Sequence, residues 1–162
     1  MADYDFRSGL GFDIHRINRR KKKLVLGGVK ISSPFGLEAV SDGDVVLHAL
    51  SDAICGAACL GDIGDYFPPG SKLSRNLDSK KILRFVLDKI KGDYQLINAD
   101  ITIIADEPPL LRHKGKILKS LSGIVAGCDF NLKIKSKEGL CVLGPPESIS
   151  CLAAVMAKKI GL

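Results

Sequence analysis

Residues 41–54 have the sequence SDGDVVLHALSDAI, and this stretch decides how the chain is expected to fold. Ser41 stands before a run of apolar residues, with an acid three positions later at Asp44, which is the pattern of a capped helix start. The predicted helix continues to residue 60. Asp44, His48 and Asp52 follow one another at four-residue steps, so they form one polar stripe along the helix.

Outward from this helix, the hydrophobic pattern predicts an α+β fold. Gly9–His15 and Leu24–Ile31 have the composition of strands, which we expect to form a hairpin through the basic run Arg16–Lys23. The remaining predicted elements are a helix from Asp78 or Ser79 to near Gly92, a strand at Ile97–Ala105, a helix at Leu110–Ala126, a strand at Leu132–Ser136 and a closing helix at Glu147–Ile160.

The element order β-β-α-α-β-α-β-α predicts a two-layer sandwich in one domain over residues 1–162. Its four-stranded mixed sheet would carry the helices on one face. The other face would then need cover, which predicts that the chain forms an oligomer.

Composition and charge limit the classes of function. The chain has 162 residues and a net charge of +6, and the run Arg16–Lys23 holds six bases, so the remaining 18 bases balance the 18 acids. No apolar run approaches the ~20 residues that span a bilayer, and the basic run has no interleaved aromatic residues for stacking on bases. We therefore expect no membrane and no nucleic-acid partner. Five cysteines without paired spacing favour a cytoplasmic protein, bacterial or the mature form of a plastid one.

Two of the polar patterns together predict a metal site. Asp13 and His15 are two apart on a strand, so their side chains project from the same face. His48 on the following helix would complete an O, N, N ligand set, which leaves a fourth position open as in catalytic zinc sites. Asp44 or Asp52 would orient the imidazole from behind. The alternative is that these residues lie on solvent-exposed faces of the strand and of the helix, which would show the same spacing.

Two loops also contain residue types that bind anions or cations. Gly61–Asp65 has glycines that allow backbone amides to turn toward an anion, although an ordinary turn has the same composition. Lys133, Lys135 and Lys137 alternate at the last predicted strand, so we expect them to share one strand face, where they would meet phosphates or water. Glu138 follows them and would suit a hard cation such as magnesium.

Several motifs occur together and in order along nearly the whole chain. They are GFDIH at 11–15, LGGVKI at 26–31, SDGDV at 41–45 with HAL at 48–50, LGDIG at 60–64 with FP at 67–68, DITIIA at 100–105 with Pro108, and KSKE at 135–138. Together they resemble the 2-C-methyl-D-erythritol 2,4-cyclodiphosphate synthase family of the non-mevalonate isoprenoid pathway.

The resemblance implies a homotrimer with active sites between neighbouring subunits. The family converts 4-diphosphocytidyl-2-C-methyl-D-erythritol 2-phosphate into the cyclic diphosphate and releases CMP. The resemblance also implies zinc on Asp13, His15 and His48, magnesium or manganese on Glu138, and a catalytic hydroxyl at Ser136. The implied substrate-binding residues are Asp13, His15, Ser41, Asp62, Ile63, Gly64, Phe67, Ala105, Pro108, Leu110, Leu111, Lys135, Ser136 and Glu138.

The chain departs from the family's usual pattern at a phosphate contact. Val40 stands where the family usually has a histidine, and valine can neither donate a hydrogen bond nor carry charge. The alternative to an active enzyme is therefore an impaired member that is retained as a metal- or nucleotide-binding trimer.

Overall fold

A computed structural model describes residues 5–71, 74–141 and 143–160. Its elements are, in order, β1 (Phe6–Asn18), β2 (Leu24–Leu26), β3 (Val29–Ile31), β4 (Gly36–Leu37), α1 (Val45–Ala57), α2 (Ile63–Tyr66), α3 (Ser79–Ile90), β5 (Tyr94–Ile104), a 3-10 turn (Leu111–His113), α4 (Lys114–Ile124), β6 (Asp129–Lys135) and β7 (Ser148–Lys159). The α+β prediction is confirmed, but the sheet has five strands in the order β4-β1-β7-β5-β6 rather than four. Only the β5–β6 pair is parallel, so the sheet is mixed.

The prediction of a closing helix is wrong, because residues 148–159 form the central strand β7. Its inward residues, from Ile149 to Ala157, alternate with the outward Leu152, Ala154 and Met156. Apolar residues thus occupy both faces of β7 and conceal the period of two that marks a strand. The fifth strand of the sheet, β4, has only two residues and was too short to be predicted.

The predicted hairpin between residues 9–15 and 24–31 is also wrong. The second segment folds on itself as the pair β2–β3, which turns at Gly27 and Gly28 with positive φ angles of 58° and 74°. β1 pairs instead with β7 along most of its length and with β4 at its end. The strand β1 is therefore an interior strand, next to the strand at the centre of the sheet.

Helix α1 lies unusually close to β1. A Cβ atom added at Gly9 or Gly11 would collide with the carbonyl oxygens of Ala53 and Ala49 on α1. The glycines therefore allow the helix to rest on the strand backbone, with a buried face that runs from Val45 to Ala57. This contact fixes the next two inward positions of β1, residues 13 and 15, beside the helix.

The opposite sheet face carries exposed apolar side chains. Leu10 is 70% exposed, and Phe12 and Met156 lie on the same face of the adjacent strands β1 and β7. Within the described ranges no helix has the length and apolar character that a bilayer span needs.

Candidate metal and substrate site

The structure brings Asp13, His15 and His48 together, and we call these three residues the triad. Their ligand atoms all lie within 4.8 Å of one another. Asp13 Oδ2 is 2.8 Å from His48 Nδ1 and 3.1 Å from His15 Nε2, while Asp13 Oδ1 accepts a hydrogen bond from the Ile14 N–H. One carboxylate oxygen and two ring nitrogens therefore converge on one point, as the sequence predicts.

The charges within the triad stabilise the ionised carboxylate. Burial alone would raise the pKa of Asp13, but the two neighbouring imidazoles hold it well below its usual range. Burial alone would lower the pKa of His48, but the Asp13 carboxylate holds it above its ordinary value. A carboxylate that stays charged next to two ring nitrogens has the electrostatic character of a cation site.

The donor set of the triad fits a divalent metal ion. His15 Nε2 is buried and makes no hydrogen bond to any residue that the structure describes, despite its short distance to Asp13. A buried polar atom without a hydrogen-bond partner is rare in a folded protein and needs an explanation. A metal ion bound by Asp13, His15 and His48 would satisfy this nitrogen.

The imidazole of His48 is oriented by Ser79, which was not predicted as a site residue, and by Ser41. His48 Nε2 is 2.8 Å from Ser79 Oγ, and Ser79 Oγ in turn donates to Asp42 Oδ1. Ser41 Oγ is a second, longer neighbour of Nε2 at 3.3 Å. With a metal ion on the triad, Nδ1 would coordinate the ion and Nε2 would carry the proton toward Ser79 Oγ. Ser79 is 31 positions from His48, and no local spacing connects them.

The two acids predicted to orient His48 have other hydrogen-bond partners. Asp44 is fully buried and caps α1 through Val46 N–H and Leu47 N–H, and it also accepts from the amides of Gly27 and Gly28.

The effect of Asp44 on His48 is electrostatic, since the charge of Asp44 helps to raise the pKa of the ring. Asp52 accepts from the Ile63 N–H at 2.9 Å and so ties α2 to α1. Within the described part of the chain, neither carboxylate is hydrogen-bonded to the imidazole.

A cavity of about 330 Å³ opens beside the triad. Its walls are mainly apolar and include six of the residues predicted to bind substrate: Asp13 and His15 of the triad, and Ser41, Ile63, Gly64 and Phe67. Val40 lies in the wall and is 44% exposed, so the position where the family usually has a histidine does face this space. Asp62, also predicted as a substrate contact, caps α2 through Gly64 N–H and Asp65 N–H.

The other predicted residues lie at a different edge of the sheet. Ile14 pairs with Ser150, Ser150 with Ile104, and Ile104 with Lys135, so β1 and the end of β6 share one row across the sheet. Three strand spacings separate them, which is about 14 Å. Ser136 Oγ donates to Glu138 Oε1 there, which brings the predicted catalytic hydroxyl and metal ligand together.

Lys135 and Ser136 line a separate cavity of about 190 Å³. The loop of predicted substrate contacts from Ala105 to Leu111 begins beside it, because the Ala105 N–H donates to the Lys135 carbonyl. In that loop Pro108 and Leu110 are buried, whereas Leu111 is 75% exposed. The expectation of three lysines on one strand face is wrong for Lys137, which is buried after β6 has ended.

The basic run lies near the triad cavity, which was not expected when it was predicted as the connection of a hairpin. Lys21, Lys22 and Lys23 line a cavity with Ser41 and Asp42, and Lys21 Nζ donates to the Ala39 carbonyl at 3.3 Å. Ser41 also lines the triad cavity, so positive charge stands next to the predicted substrate space.

Comparison with known proteins gives one consistent result. A family model described as the YgbB family matches residues 6–158. The 2-C-methyl-D-erythritol 2,4-cyclodiphosphate synthase of Treponema denticola is 39% identical over 153 residues, which cover 93% of this chain and 94% of that protein.

Solved structures agree with this. The bifunctional IspDF of Campylobacter jejuni has a TM-score of 0.89 at 34% identity, over 98% of this chain and 44% of that one. A 2C-methyl-D-erythritol-2,4-cyclodiphosphate synthase in a CDP-bound form has a TM-score of 0.82 at 35% identity, over 92% of this chain and 98% of that one. The similarity thus covers both the triad and the Glu138 region.

Proposed function

This chain belongs to the YgbB family, and we propose that the triad and Glu138 are the metal ligands of its active site. The chain is an enzyme of isoprenoid precursor biosynthesis, a phosphorus–oxygen lyase. It converts 4-diphosphocytidyl-2-C-methyl-D-erythritol 2-phosphate into 2-C-methyl-D-erythritol 2,4-cyclodiphosphate and CMP. The single observation that carries the assignment of the site is the convergence of Asp13, His15 and His48 within 4.8 Å in a chain of this family.

In the reaction, an oxygen of the 2-phosphate forms a bond to the β-phosphorus of the diphosphate. The bond from that phosphorus to the bridging oxygen breaks, and CMP leaves with this oxygen. We assign zinc to the triad and magnesium or manganese to Glu138, because imidazole suits zinc and a lone carboxylate suits a harder cation. Divalent cations held by these residues would neutralise the charge of the diphosphate and polarise its phosphorus–oxygen bonds.

The residues of the chain itself supply binding, orientation and exclusion of water. Ile63 and Phe67 form apolar walls beside the triad and would hold the methylerythritol end away from bulk solvent. Lys135 contributes positive charge beside the predicted nucleotide loop, where the α-phosphate would lie. Ser136 has its hydroxyl next to Glu138 and would donate to a phosphate oxygen once that carboxylate binds a cation. Positioning and electrostatics of this kind can supply most of the acceleration in phosphoryl transfer.

We also propose that each active site forms between two subunits of a homotrimer. Two observations support this proposal. Within one chain, β1 with its triad residues and the end of β6, which leads to Glu138, are three strand spacings or about 14 Å apart. The outer sheet face also exposes Leu10, Phe12 and Met156. Packing that face against neighbouring copies would bury these side chains and bring the Glu138 edge of one subunit to the triad of the next.

Complementation tests the shared site. Asp13→Asn and Glu138→Gln variants should each be inactive. When equal amounts are refolded together, about half of the sites receive an intact triad, and about half of those meet an intact Glu138 edge on the next subunit. The mixture should therefore recover about a quarter of wild-type activity. Mixed trimers that stay inactive would contradict a site shared between subunits.

The family's substrate is a cytidine nucleotide, and we propose that the loop from Ala105 to Leu111 holds the base. The CDP-bound form of a similar synthase supports a cytidine ligand. A cytoplasmic location is supported by five cysteines without a disulfide.

Release of CMP by the purified protein tests the proposal. Zinc and magnesium should both be required, and His48→Gln should abolish turnover while the protein stays folded. Absence of CMP above the buffer control would contradict the enzyme assignment and favour an impaired, binding-only member. Release of CMP by His48→Gln at the wild-type rate would contradict the role of the triad.

A further inference from the structure

Lys137 is a buried lysine that the reaction described above does not use. Only 7% of the residue is exposed. Its Nζ lies 2.7 Å from the Pro145 carbonyl oxygen, 3.0 Å from that of Pro146, 2.6 Å from that of Ser148, and 2.7 Å from Ser148 Oγ. The three N–H groups of the ammonium thus meet four oxygens.

The ammonium has no carboxylate partner within hydrogen-bond distance among the described residues. A buried charge is costly unless hydrogen bonds compensate it, and here backbone carbonyls alone provide three of the four acceptors. Those carbonyls come from the segment 145–148, which has two successive prolines and enters β7. Through these hydrogen bonds, Lys137 connects the segment 145–148 to the chain that follows β6.

The backbone of Lys137 is fixed as firmly as its side chain. Its N–H donates to Asp106 Oδ1 at 2.8 Å, and its carbonyl accepts from the Leu140 N–H at 2.9 Å. One residue consequently joins three segments: the proposed nucleotide loop through Asp106, the Ser136–Glu138 segment, and the segment that leads into β7.

The hydrogen bonds of Lys137 bear on the backbone conformation of the next residue, Glu138. Glu138 has a φ of +52°, in the left-handed region that favours glycine and that a glutamate adopts only at a cost. The surrounding structure must therefore impose this conformation. The bonds at Lys137, one position before, are those that fix the backbone where Glu138 leaves the strand.

We propose that Lys137 is a positioning residue that holds the Glu138 carboxylate and the Ser136 hydroxyl in place for the second metal ion. This inference rests on the proposed function and deepens it. Lys137 acts through the segment it anchors and does not itself touch the metal or the substrate. The zinc ligands lie on β1 and α1, and β1 meets the anchored segment at its end, where Arg16 pairs with Ser148. The rest of β1 pairs with β7 and packs against α1, so we expect the zinc site to persist without this anchor.

The test is a titration of the zinc-loaded protein with Mn²⁺ in the presence of CDP, followed by electron paramagnetic resonance. Lys137→Met keeps the length of the side chain but removes the charge and its hydrogen bonds. We expect the Kd for Mn²⁺ to rise by about 10- to 100-fold, the usual effect of losing a residue that supports a metal ligand. The zinc content should stay at the wild-type level.

Lys91→Met is the matched control, because Lys91 is exposed at the end of α3, far along the sheet from Glu138. It should bind Mn²⁺ as the wild type does. Should Lys137→Met fail to fold, Ser148→Ala serves instead, since it removes one of the four acceptors, and its Kd should rise by about threefold or more.

Unchanged Mn²⁺ affinity in folded Lys137→Met, or in Ser148→Ala if the first variant does not fold, would overturn the positioning role. Loss of zinc in parallel with Mn²⁺ would also overturn it, because the effect would then be general unfolding. A wild-type protein that releases CMP while these variants bind Mn²⁺ normally would refute this inference alone. A wild-type protein that neither binds Mn²⁺ nor releases CMP would refute the proposed function as well.

Discussion

Replacement of Ser79 by alanine should weaken zinc binding although Ser79 does not belong to the triad. Ser79 Oγ lies 2.8 Å from His48 Nε2, and both residues are buried. Without this oxygen, the buried N–H of the imidazole loses its best acceptor, and the tautomer that directs the Nδ1 lone pair toward the triad is no longer fixed.

The magnitude follows from the partners that remain. A buried donor without an acceptor costs about 1–3 kcal/mol, which corresponds to roughly 5- to 150-fold in a binding constant at ~1.4 kcal/mol per tenfold. Ser41 Oγ remains 3.3 Å from Nε2 and would take over part of the bond. We therefore expect about a tenfold rise in the Kd for zinc in Ser79→Ala, within the range known for residues behind a metal ligand, and a larger rise when Ser41→Ala is added.

The assay is competition for zinc against a chromogenic chelator. Ser51→Ala is the control, because Ser51 is equally buried on α1 and its Oγ donates to the Leu47 carbonyl rather than to His48. Zinc binding by Ser79→Ala within about twofold of wild type, or an equal loss of zinc affinity in Ser51→Ala, would contradict the orienting role of Ser79.

Other regions give further predictions. Gly11→Ala should lower the free energy of unfolding by about 1–3 kcal/mol in urea denaturation, because the added Cβ meets the Ala49 carbonyl, and an unchanged midpoint would show that α1 does not rest on β1. Changing all of Lys21–Lys23 to glutamine should lower kcat/KM at low ionic strength and flatten its dependence on salt; an unchanged slope would exclude a role in attracting the substrate. At pH 8 a thiol reagent should label only the two exposed cysteines, Cys59 and Cys141. The three buried thiols are Cys55, Cys128 and Cys151. Burial raises the pKa of the first two to about 11, so rapid labelling of all five would contradict their burial and their protonated state at pH 8.

The triad was predictable because two simple periodicities determine it. Residues two apart on a strand share a face, which joins Asp13 to His15, and the polar stripe on α1 directs His48 toward the same face. The sequence contained no signal for Ser79, whose contact with His48 exists only because α3 packs beside α1. The carboxylate of Asp44 accepts from four backbone amides and, among the described residues, makes no hydrogen bond to the His48 ring.

Strand β7 was predicted as a helix because both of its faces carry apolar side chains. Leu152 and Met156 point away from the helices and would be polar in a monomer with one solvated sheet face. Their apolar character removes the alternation by which a strand is recognised, so residues 147–160 resemble a helix. The same side chains are those that the proposed trimer would bury. A pattern that misleads the prediction of secondary structure therefore supports the prediction of an oligomer.

Phosphorus-31 magnetic resonance of the reaction product tests the central claim most directly. Zinc- and magnesium-loaded protein is incubated with 4-diphosphocytidyl-2-C-methyl-D-erythritol 2-phosphate, and the product is separated from CMP. The account predicts a pair of mutually coupled diphosphate resonances without a phosphomonoester signal, with one CMP released per product formed. Release of CMP with the phosphomonoester signal retained would mean hydrolysis by water instead of cyclisation, and unchanged substrate would mean that the site does not act on it; either result would contradict the account.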